Sequence, residues 1–291
     1  MDHVFAHFPC NDGELSYIIW EYFKPNSKIY MWKHNDNLNE IDIINKLPDN
    51  SNIVFLDLTP PLEKLKKTHK YTIIDHHKEP LLVLLNSTFK NNYNLTLHYQ
   101  EGFPNMNDMS GCMLTWKFLT SRKYPSVVYY VGNKDVWNFS DSNTEPYCIG
   151  YNMEISKYKG DERKKCIRYM IENDIDDIMI QNGQTKIDEY KKSVKKYFNL
   201  VTLYGESDMY GKYNVIQITC KENYMFKYLI DYAIENYKTS DVLCIHHTET
   251  SDTNMYSLRR LKDDIRVDGI ARKYNGNGHE GAAGYIIKKL C

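Results

Sequence analysis

The sequence predicts an α/β protein: an N-terminal, mostly parallel sheet flanked by helices, then a helical connector, then a smaller mixed α/β C-terminal domain. Three observations carry this expectation. In the first half, short β-rich runs alternate with helix-compatible stretches, the order that builds a parallel sheet. From about Lys157 to Phe198 the pattern becomes helical and charged. Beyond that, strand-like runs return with a single helix among them.

His3 to Phe8 is the first β-rich run, followed by Pro9-Cys10-Asn11-Asp12-Gly13 and an amphipathic stretch, Glu14 to Phe23. Ile29 to Trp32 is the second run. Asn52 to Leu58 is the third, carrying Asp57 at its end before Thr59-Pro60-Pro61. Tyr71 to Ile74 is the fourth and runs into Asp75-His76-His77. Ser110-Gly111 opens a helix over Cys112 to Leu119, with Ser110 placed to cap its free backbone N–H groups. Val127 to Val131 is apolar and β-branched and leads into Gly132-Asn133-Lys134-Asp135-Val136-Trp137. The charged helical stretch is expected to break near Asn182-Gly183. In the second half, Tyr213 to Thr219, Val242 to His246, Met255 to Leu258 and Tyr285 to Ile287 read as strands, and Met225 to Tyr237 as a helix. The domain division expected is 1–156, a connector over 157–204, and 205–291.

The 291 residues, 42% of them hydrophobic, suffice for two modest domains with ordinary cores. The 37 basic and 38 acidic residues nearly cancel, which argues for a small substrate or a locally basic cleft over the coating of long nucleic acid. Seven scattered cysteines without a CxxC pair form neither a disulfide framework nor a zinc-finger spacing, so a reducing compartment, the cytoplasm, is expected. No apolar stretch approaches the roughly 20 residues of a membrane span. Met1-Asp2-His3 opens without the apolar core of a signal peptide.

In a parallel α/β sheet, ligands sit beyond the carboxyl ends of the strands. Here those ends carry His7, Asp12, Asp57, Asp75, His76 and His77. Carboxylates suit hard divalent cations, and imidazoles among them shift preference toward Mn²⁺, Co²⁺ or Zn²⁺. Two such ions roughly 3.5–4 Å apart clamp the attacking and leaving oxygens of a phosphoryl displacement. Cys10, beside this set, reads as a small packed thiol ahead of a soft ligand.

Ile73-Ile74-Asp75-His76-His77 resembles the signature of the DHH phosphoesterases. The order of motifs is also similar to that family: a His and Asp-Gly turn, a lone strand-end Asp, Asp-His-His, then an Asp before an aromatic. Ser257-Leu258-Arg259-Arg260, Asp268-Gly269-Ile270-Ala271 and Gly276-Asn277-Gly278-His279 resemble the family's associated substrate domain. The resemblance implies that His7 ligates a first metal, that Asp57 bridges two metals, and that His76 and Asp135 complete the second site. It implies that Asp75 orients the histidines and that His77 contacts the scissile phosphate, so that Asp57, His76 and His77 form the catalytic set. Arg259, Gly276, Gly278 and His279 would bind substrate. One departure stands out, since the family places two aspartates two residues apart after the His. Counting from His7 puts Asn11 in the first slot; counting back from Asp12-Gly13 puts Cys10 there. Asp12 is therefore assigned as a ligand and Asn11 as a weaker, neutral one.

The activity implied is hydrolysis of short oligonucleotides or linear or cyclic dinucleotides to mononucleotides, with Mn²⁺ preferred and Mg²⁺ or Co²⁺ as alternatives. An inorganic pyrophosphatase, a long-strand exonuclease and a nucleotide-binding sensor without catalysis are the rivals. No membrane and no obligate protein partner is expected, and the sequence is compatible with an oligomer.

Overall fold

A computed structural model describes the chain apart from residues 34–36, 107, 206–209, 249–251 and 289–291, and describes the backbone alone at 37, 38, 89 and 248. Cys291 thus lies outside the described residues. The chain divides into two compact units, Met1–Lys186 and Ile187–Cys291.

In order, the first unit consists of β1 (Asp2–His7), α1 (Asn11–Phe23), β2 (Lys28–Trp32), α2 (Asn37–Lys46), β3 (Asn52–Leu56), β4 (Lys70–Ile74), α3 (Lys78–Asn86) and β5 (Asn94–His98). It continues through α4 (Gly111–Leu119), α5 (Ser126–Asp135), α6 (Thr144–Ile155) and α7 (Gly160–Glu172) into α8 (Asp176–Val194). The five strands form one sheet in the order β2-β1-β3-β4-β5, and every pair is parallel.

Both faces of the sheet are covered. Val4, Ala6, Val54, Leu56 and Ile74 share a core with Leu15, Ile18 and Ile19 of α1 and with Cys112 and Val128. The alternate residues Phe5, Ile53, Phe55 and Ile73 pack with Trp32 and with Ile41 and Ile44 of α2. This alternation follows from the two-residue period of a strand, and burial on both faces explains the continuous apolar segments Val4-Phe5-Ala6 and Ile53-Val54-Phe55-Leu56.

Two elements were not assigned from the sequence, and one expectation is corrected. Asn94–His98 is a fifth strand, at the sheet edge; its Asn-Leu-Thr-Leu-His alternation is half-exposed and lacks the continuous apolar run that marks the central strands. Val127 to Val131 lies inside helix α5, where burial of Val127, Val128 and Val131 against the main core overrides β-branched propensity. The helical stretch breaks at 173–175, and α8 runs through Asn182-Gly183. Gly183 instead marks a close approach: a Cβ there would stand 1.7 Å from Pro146 O, and one on Gly150 would stand 2.0 Å from Met179 O. Within the expected connector, α7 docks on α1 through Arg163, which donates two hydrogen bonds to Glu14 (2.7 and 2.6 Å), and through Arg168, which donates to Glu21 (2.7 Å).

The second unit contains β6 (Thr202–Tyr204), β7 (Val215–Thr219), α9 (Phe226–Asn236), β8 (Val242–Thr248), β9 (Thr253–Arg260), α10 (Asp268–Lys273), β10 (Asn277–His279) and β11 (Ala282–Lys288). Its mixed sheet has the order β10-β11-β9-β8-β7-β6, with only β7 and β8 parallel. One face packs Val242, Cys244, Leu258, Ala283 and Tyr285 against Ile270 and Ala271 of α10. No helix among the described residues is long and apolar enough to cross a membrane.

Candidate functional site

The strand order places a topological switch between β1 and β3, because the chain leaves β1 on one side for β2 and returns on the other as β3. The carboxyl ends flanking such a switch are where open α/β sheets hold ligands. His7 ends β1, Asp57 follows β3, and Asp75-His76-His77 follows β4.

Asp57 sits at the centre and is only 2% exposed. Its φ of 55° is left-handed, a conformation that Asp tolerates better than most residues, and its N–H donates to Ile74 O at 2.9 Å. Oδ2 lies 3.1 Å from His7 Nδ1 and 3.2 Å from Cys10 Sγ. Oδ1 lies 3.2 Å from His76 Nε2 and 3.7 Å from His77 Nδ1. This buried oxygen accepts no hydrogen bond among the described residues. Most buried carboxylate oxygens are satisfied, and an orphan at a cluster of donors calls for an explanation.

His76 Nε2 faces three carboxylates: Asp57 Oδ1 at 3.2 Å, Asp135 Oδ2 at 3.3 Å and Asp12 Oδ2 at 3.9 Å. One N–H cannot serve all three. Asp12 is buried at the start of α1 and accepts from Gly111 N (2.6 Å) and Cys112 N (3.0 Å). It, and not Ser110, therefore caps α4; the Ser110 hydroxyl lies 3.3 Å from Cys112 Sγ. Gly111 is required by this contact, since a Cβ there would meet Asp57 Cβ at 2.7 Å and Asp12 Oδ2 at 2.8 Å. Asp135 closes α5.

Asp75 is fully buried and ties down the loop that carries the histidines. Its Oδ1 accepts from the backbone N–H groups of His76 (2.8 Å) and His77 (3.2 Å) and lies 2.8 Å from His77 Nδ1, while Thr59 Oγ1 donates to Oδ2 at 2.5 Å. Such carboxylate–imidazole pairs fix ring orientation and tautomer.

The electrostatics follow from this crowding. Burial pushes the Asp12 carboxyl well above the usual carboxylate range, reinforced by the charges of Asp57 and Asp135. Burial, then Asp57, likewise raises Asp135. At Asp57 burial acts in the same direction, but the His7 and His76 imidazoles that face it, and their charge, outweigh it and hold the group well below the usual range. Burial disfavours charge on His76, yet the close approach of Asp57 and the charges of Asp12, Asp57 and Asp135 push it up to about 9. His77 is raised chiefly by its bond to Asp75. Burial and Asp57 push the Cys10 thiol up. No Lys or Arg pairs with Asp12, Asp57 or Asp135 among the described residues, whose ion-pair partners here are histidines.

The donor set fits divalent cations. His7, Asp57 and His77 bring one donor atom each within 4.8 Å of one another, as do Asp12, Asp57 and His76, and Asp57 is common to both groups. Carboxylate and imidazole donors together suit Mn²⁺, Co²⁺ or Zn²⁺.

The turn after β1 resolves its two possible registers. Asn11, expected as a ligand, donates its amide to Asn152 Oδ1 at 2.9 Å. Cys10 is the residue that faces His7 and Asp57, and it also caps α1 by accepting from Gly13 N at 3.0 Å. Counting back from Asp12 was the sequence signal for this; nothing in the sequence signalled the close packing of Gly111.

In the second unit, Arg259 pairs with Ala282, and Ala282 with His279, across β9, β11 and β10. Residues directly opposite in antiparallel pairs share a face, so Arg259 and His279 flank the small Ala282 on one side of the sheet. The Arg259 guanidinium lies 5.5 Å above the Phe226 ring and donates to Leu258 O at 2.8 Å. The glycine-rich stretch is a hairpin. Gly276 N donates to Ala271 O at 2.9 Å and Gly278 N to Asn277 Oδ1 at 2.8 Å, while Gly278 has a φ of 145° and would clash with Ala283 Cα if it carried a Cβ. The pair His246-His247 forms no part of a cation cluster among the described residues; His247 Nε2 lies 3.2 Å from Ser257 Oγ.

The class defined by fold and site is an α/β protein with an acidic, histidine-flanked cluster at a sheet switch point. One comparison with a solved structure supports the fold. The chain is 12% identical to a pGpG-specific phosphodiesterase, PggH, from Vibrio cholerae, with a TM-score of 0.51 over 99% of this chain and 93% of that one. An exopolyphosphatase-related protein from Bacteroides fragilis is 15% identical, with a TM-score of 0.44 over 100% and 87%. In sequence, the uncharacterized protein R106 of Acanthamoeba polyphaga mimivirus is 23% identical over 308 residues, covering 100% of this chain and 68% of that protein. No protein-family model matches the sequence.

Proposed function

We propose that this chain is a metal-dependent phosphodiesterase of the DHH type, hydrolysing short oligonucleotides or dinucleotides to mononucleotides. The observation that carries the reading is Asp57: a buried carboxylate, held ionised, with one oxygen lacking a donor, at the meeting point of two candidate cation sites. The motif order and a fold shared with a phosphodiesterase of pGpG support the substrate class.

In this reading His7, Asp12, Asp57, His76 and Asp135 hold the cations, with Mn²⁺ the leading candidate. Divalent cations held there would neutralise phosphate charge and make water nucleophilic at neutral pH. The remaining work belongs to the protein. Asp57 stays ionised because His7 and His76 face it. Asp75 accepts from His77 Nδ1–H, which leaves Nε2 as the atom that exchanges a proton with the leaving group or contacts the phosphate. His77 is the more exposed of the two adjacent histidines, at 37% of its side chain against 11% for His76, as a group that meets substrate must be. On the second unit, Arg259 offers a planar fork and His279 a further donor, groups suited to a phosphate or a base edge.

The test is incubation of the purified chain with Mn²⁺ and a panel of di- to pentanucleotides, cyclic dinucleotides and pyrophosphate, beside Asp57→Ala. Mononucleotide release that disappears in the variant supports the proposal. Turnover of pyrophosphate alone would replace it with the pyrophosphatase reading, and nucleotide binding without turnover would replace it with a sensor.

A further inference from the structure

The first candidate cation site contains a donor that carboxylate chemistry does not account for. His7 Nδ1, Cys10 Sγ and Asp57 Oδ2 form a closed triangle with edges of 3.4, 3.2 and 3.1 Å. Ligands at about 2.0–2.3 Å from a tetrahedral zinc ion stand roughly 3.3–3.8 Å apart, so a triangle of this size needs little adjustment to become one face of such a site. The sulfur is also held in position, since Gly13 N donates to it at the start of α1. The other thiol of this region, Cys112 Sγ, is fully buried against Ser110 Oγ (3.3 Å) and Val128 O (3.8 Å) and also interacts with Asp12, outside the His7–Cys10–Asp57 triangle.

We infer that Cys10 Sγ is a metal ligand, which makes the His7–Cys10–Asp57 site one for a thiophilic cation of the Zn²⁺ or Co²⁺ type ahead of Mn²⁺ or Mg²⁺. The inference rests on the cation-binding reading proposed above and changes its chemistry. One nitrogen, one sulfur and one oxygen donor are a softer set than carboxylates and imidazoles alone, and thiolate donors select zinc-like ions. The group Asp12, Asp57 and His76 has no sulfur and remains suited to a harder ion. The two positions would then hold different metals, with Asp57 shared. Coordination releases the thiol proton to solvent and leaves the sulfur bonded to the ion.

The variant Cys10→Ser isolates the sulfur, because a serine hydroxyl can still accept from Gly13 N and cap α1. Metal-free full-length chain is titrated with Co²⁺ and followed by absorbance, and Zn²⁺-loaded chain is measured by X-ray absorption at the zinc edge. The expected result is a near-ultraviolet sulfur-to-cobalt charge-transfer band and one sulfur at about 2.3 Å from zinc. In Cys10→Ser both signals vanish and Zn²⁺ affinity falls at least about tenfold, the smaller loss seen even for residues that only support a ligand. Zinc-dependent protection of Cys10 from alkylation in the unmodified chain provides the same answer without a variant. Cobalt bound with ligand-field bands but no sulfur band, or a sulfur band that survives Cys10→Ser, overturns the inference and leaves the cation-binding reading intact. Failure to retain any divalent cation overturns both.

Discussion

The carboxyl edge of the parallel sheet and the β9–β11–β10 face of the second unit hold their polar groups in opposite ways. At the sheet edge, Asp12 and Asp57 are buried at 1% and 2% exposure, and Asp135 joins them around one imidazole nitrogen. On the second face, Arg259 is relaxed over an aromatic ring and bonded to a carbonyl, and His279 stands exposed. Like charges gathered out of water are costly unless something opposite joins them. The first region therefore crowds buried carboxylates around a few imidazoles, and the second is a more open surface on which Arg259 is already bonded. That difference separates residues expected to be indispensable from residues expected to adjust affinity.

Breaking the first region at its centre has the largest expected effect. Asp57→Ala removes the carboxylate common to both cation groups, and turnover should fall on the order of 10³-fold or more, the scale seen when a key electrostatic contributor is removed from an active site. Steady-state kinetics at saturating Mn²⁺ measure it.

The crowding should also be visible without substrate. His76 is held up to about 9, above its ordinary 6.5, by the carboxylates around it. A raised folded-state value stabilises the fold fully below about 6.5, and this contribution is lost as pH rises through about 9. Denaturant unfolding of metal-free protein should therefore show stability decreasing between those limits, by at most on the order of 3 kcal/mol. Asp12, raised by burial and like charge, contributes in the same direction. Bound divalent cations should flatten the dependence, and a stability that climbs with pH in the metal-free chain would contradict the electrostatic picture.

A smaller effect tests the packing behind the cluster. Gly111→Ala places a methyl against Asp57 Cβ and Asp12 Oδ2, and overpacking of this kind costs about 1–3 kcal/mol. Because the atoms it meets are candidate ligands, cation affinity should fall together with stability; lost stability with unchanged affinity would place the cations elsewhere. The smallest effect belongs to the second region. Arg259→Ala should raise KM about tenfold with kcat little changed, as expected for uniform binding of a substrate group.

Much of this was legible in the sequence because buried parallel strands leave a distinctive trace. The apolar runs of β1, β3 and β4 and the polar residues ending them revealed both the sheet and the residues at its edge. The half-exposed edge strand β5 left no such trace. Val127 to Val131 did not announce helix α5, because its β-branched residues are buried there and burial outweighs β-branched preference. Asn11 and Cys10 could not be separated by counting, since both registers fit the turn; only the cap on α1 and the bond from Asn11 to Asn152 distinguish them. Gly183 read as a break because glycine weakens an isolated helix, whereas here it admits the Pro146 carbonyl. Pairing of Arg259 with His279 through Ala282 depends on a register that no local pattern discloses.

The central claim is that the cluster around Asp57 is a binding site for divalent cations. Calorimetric titration of Mn²⁺ and Zn²⁺ into metal-free chain, repeated with Asp57→Asn, tests it most directly. Two cations per chain are expected, with both lost or strongly weakened in the variant, because Asp57 is common to the two sites. Cation binding in Asp57→Asn equal to that of the unmodified chain would contradict it.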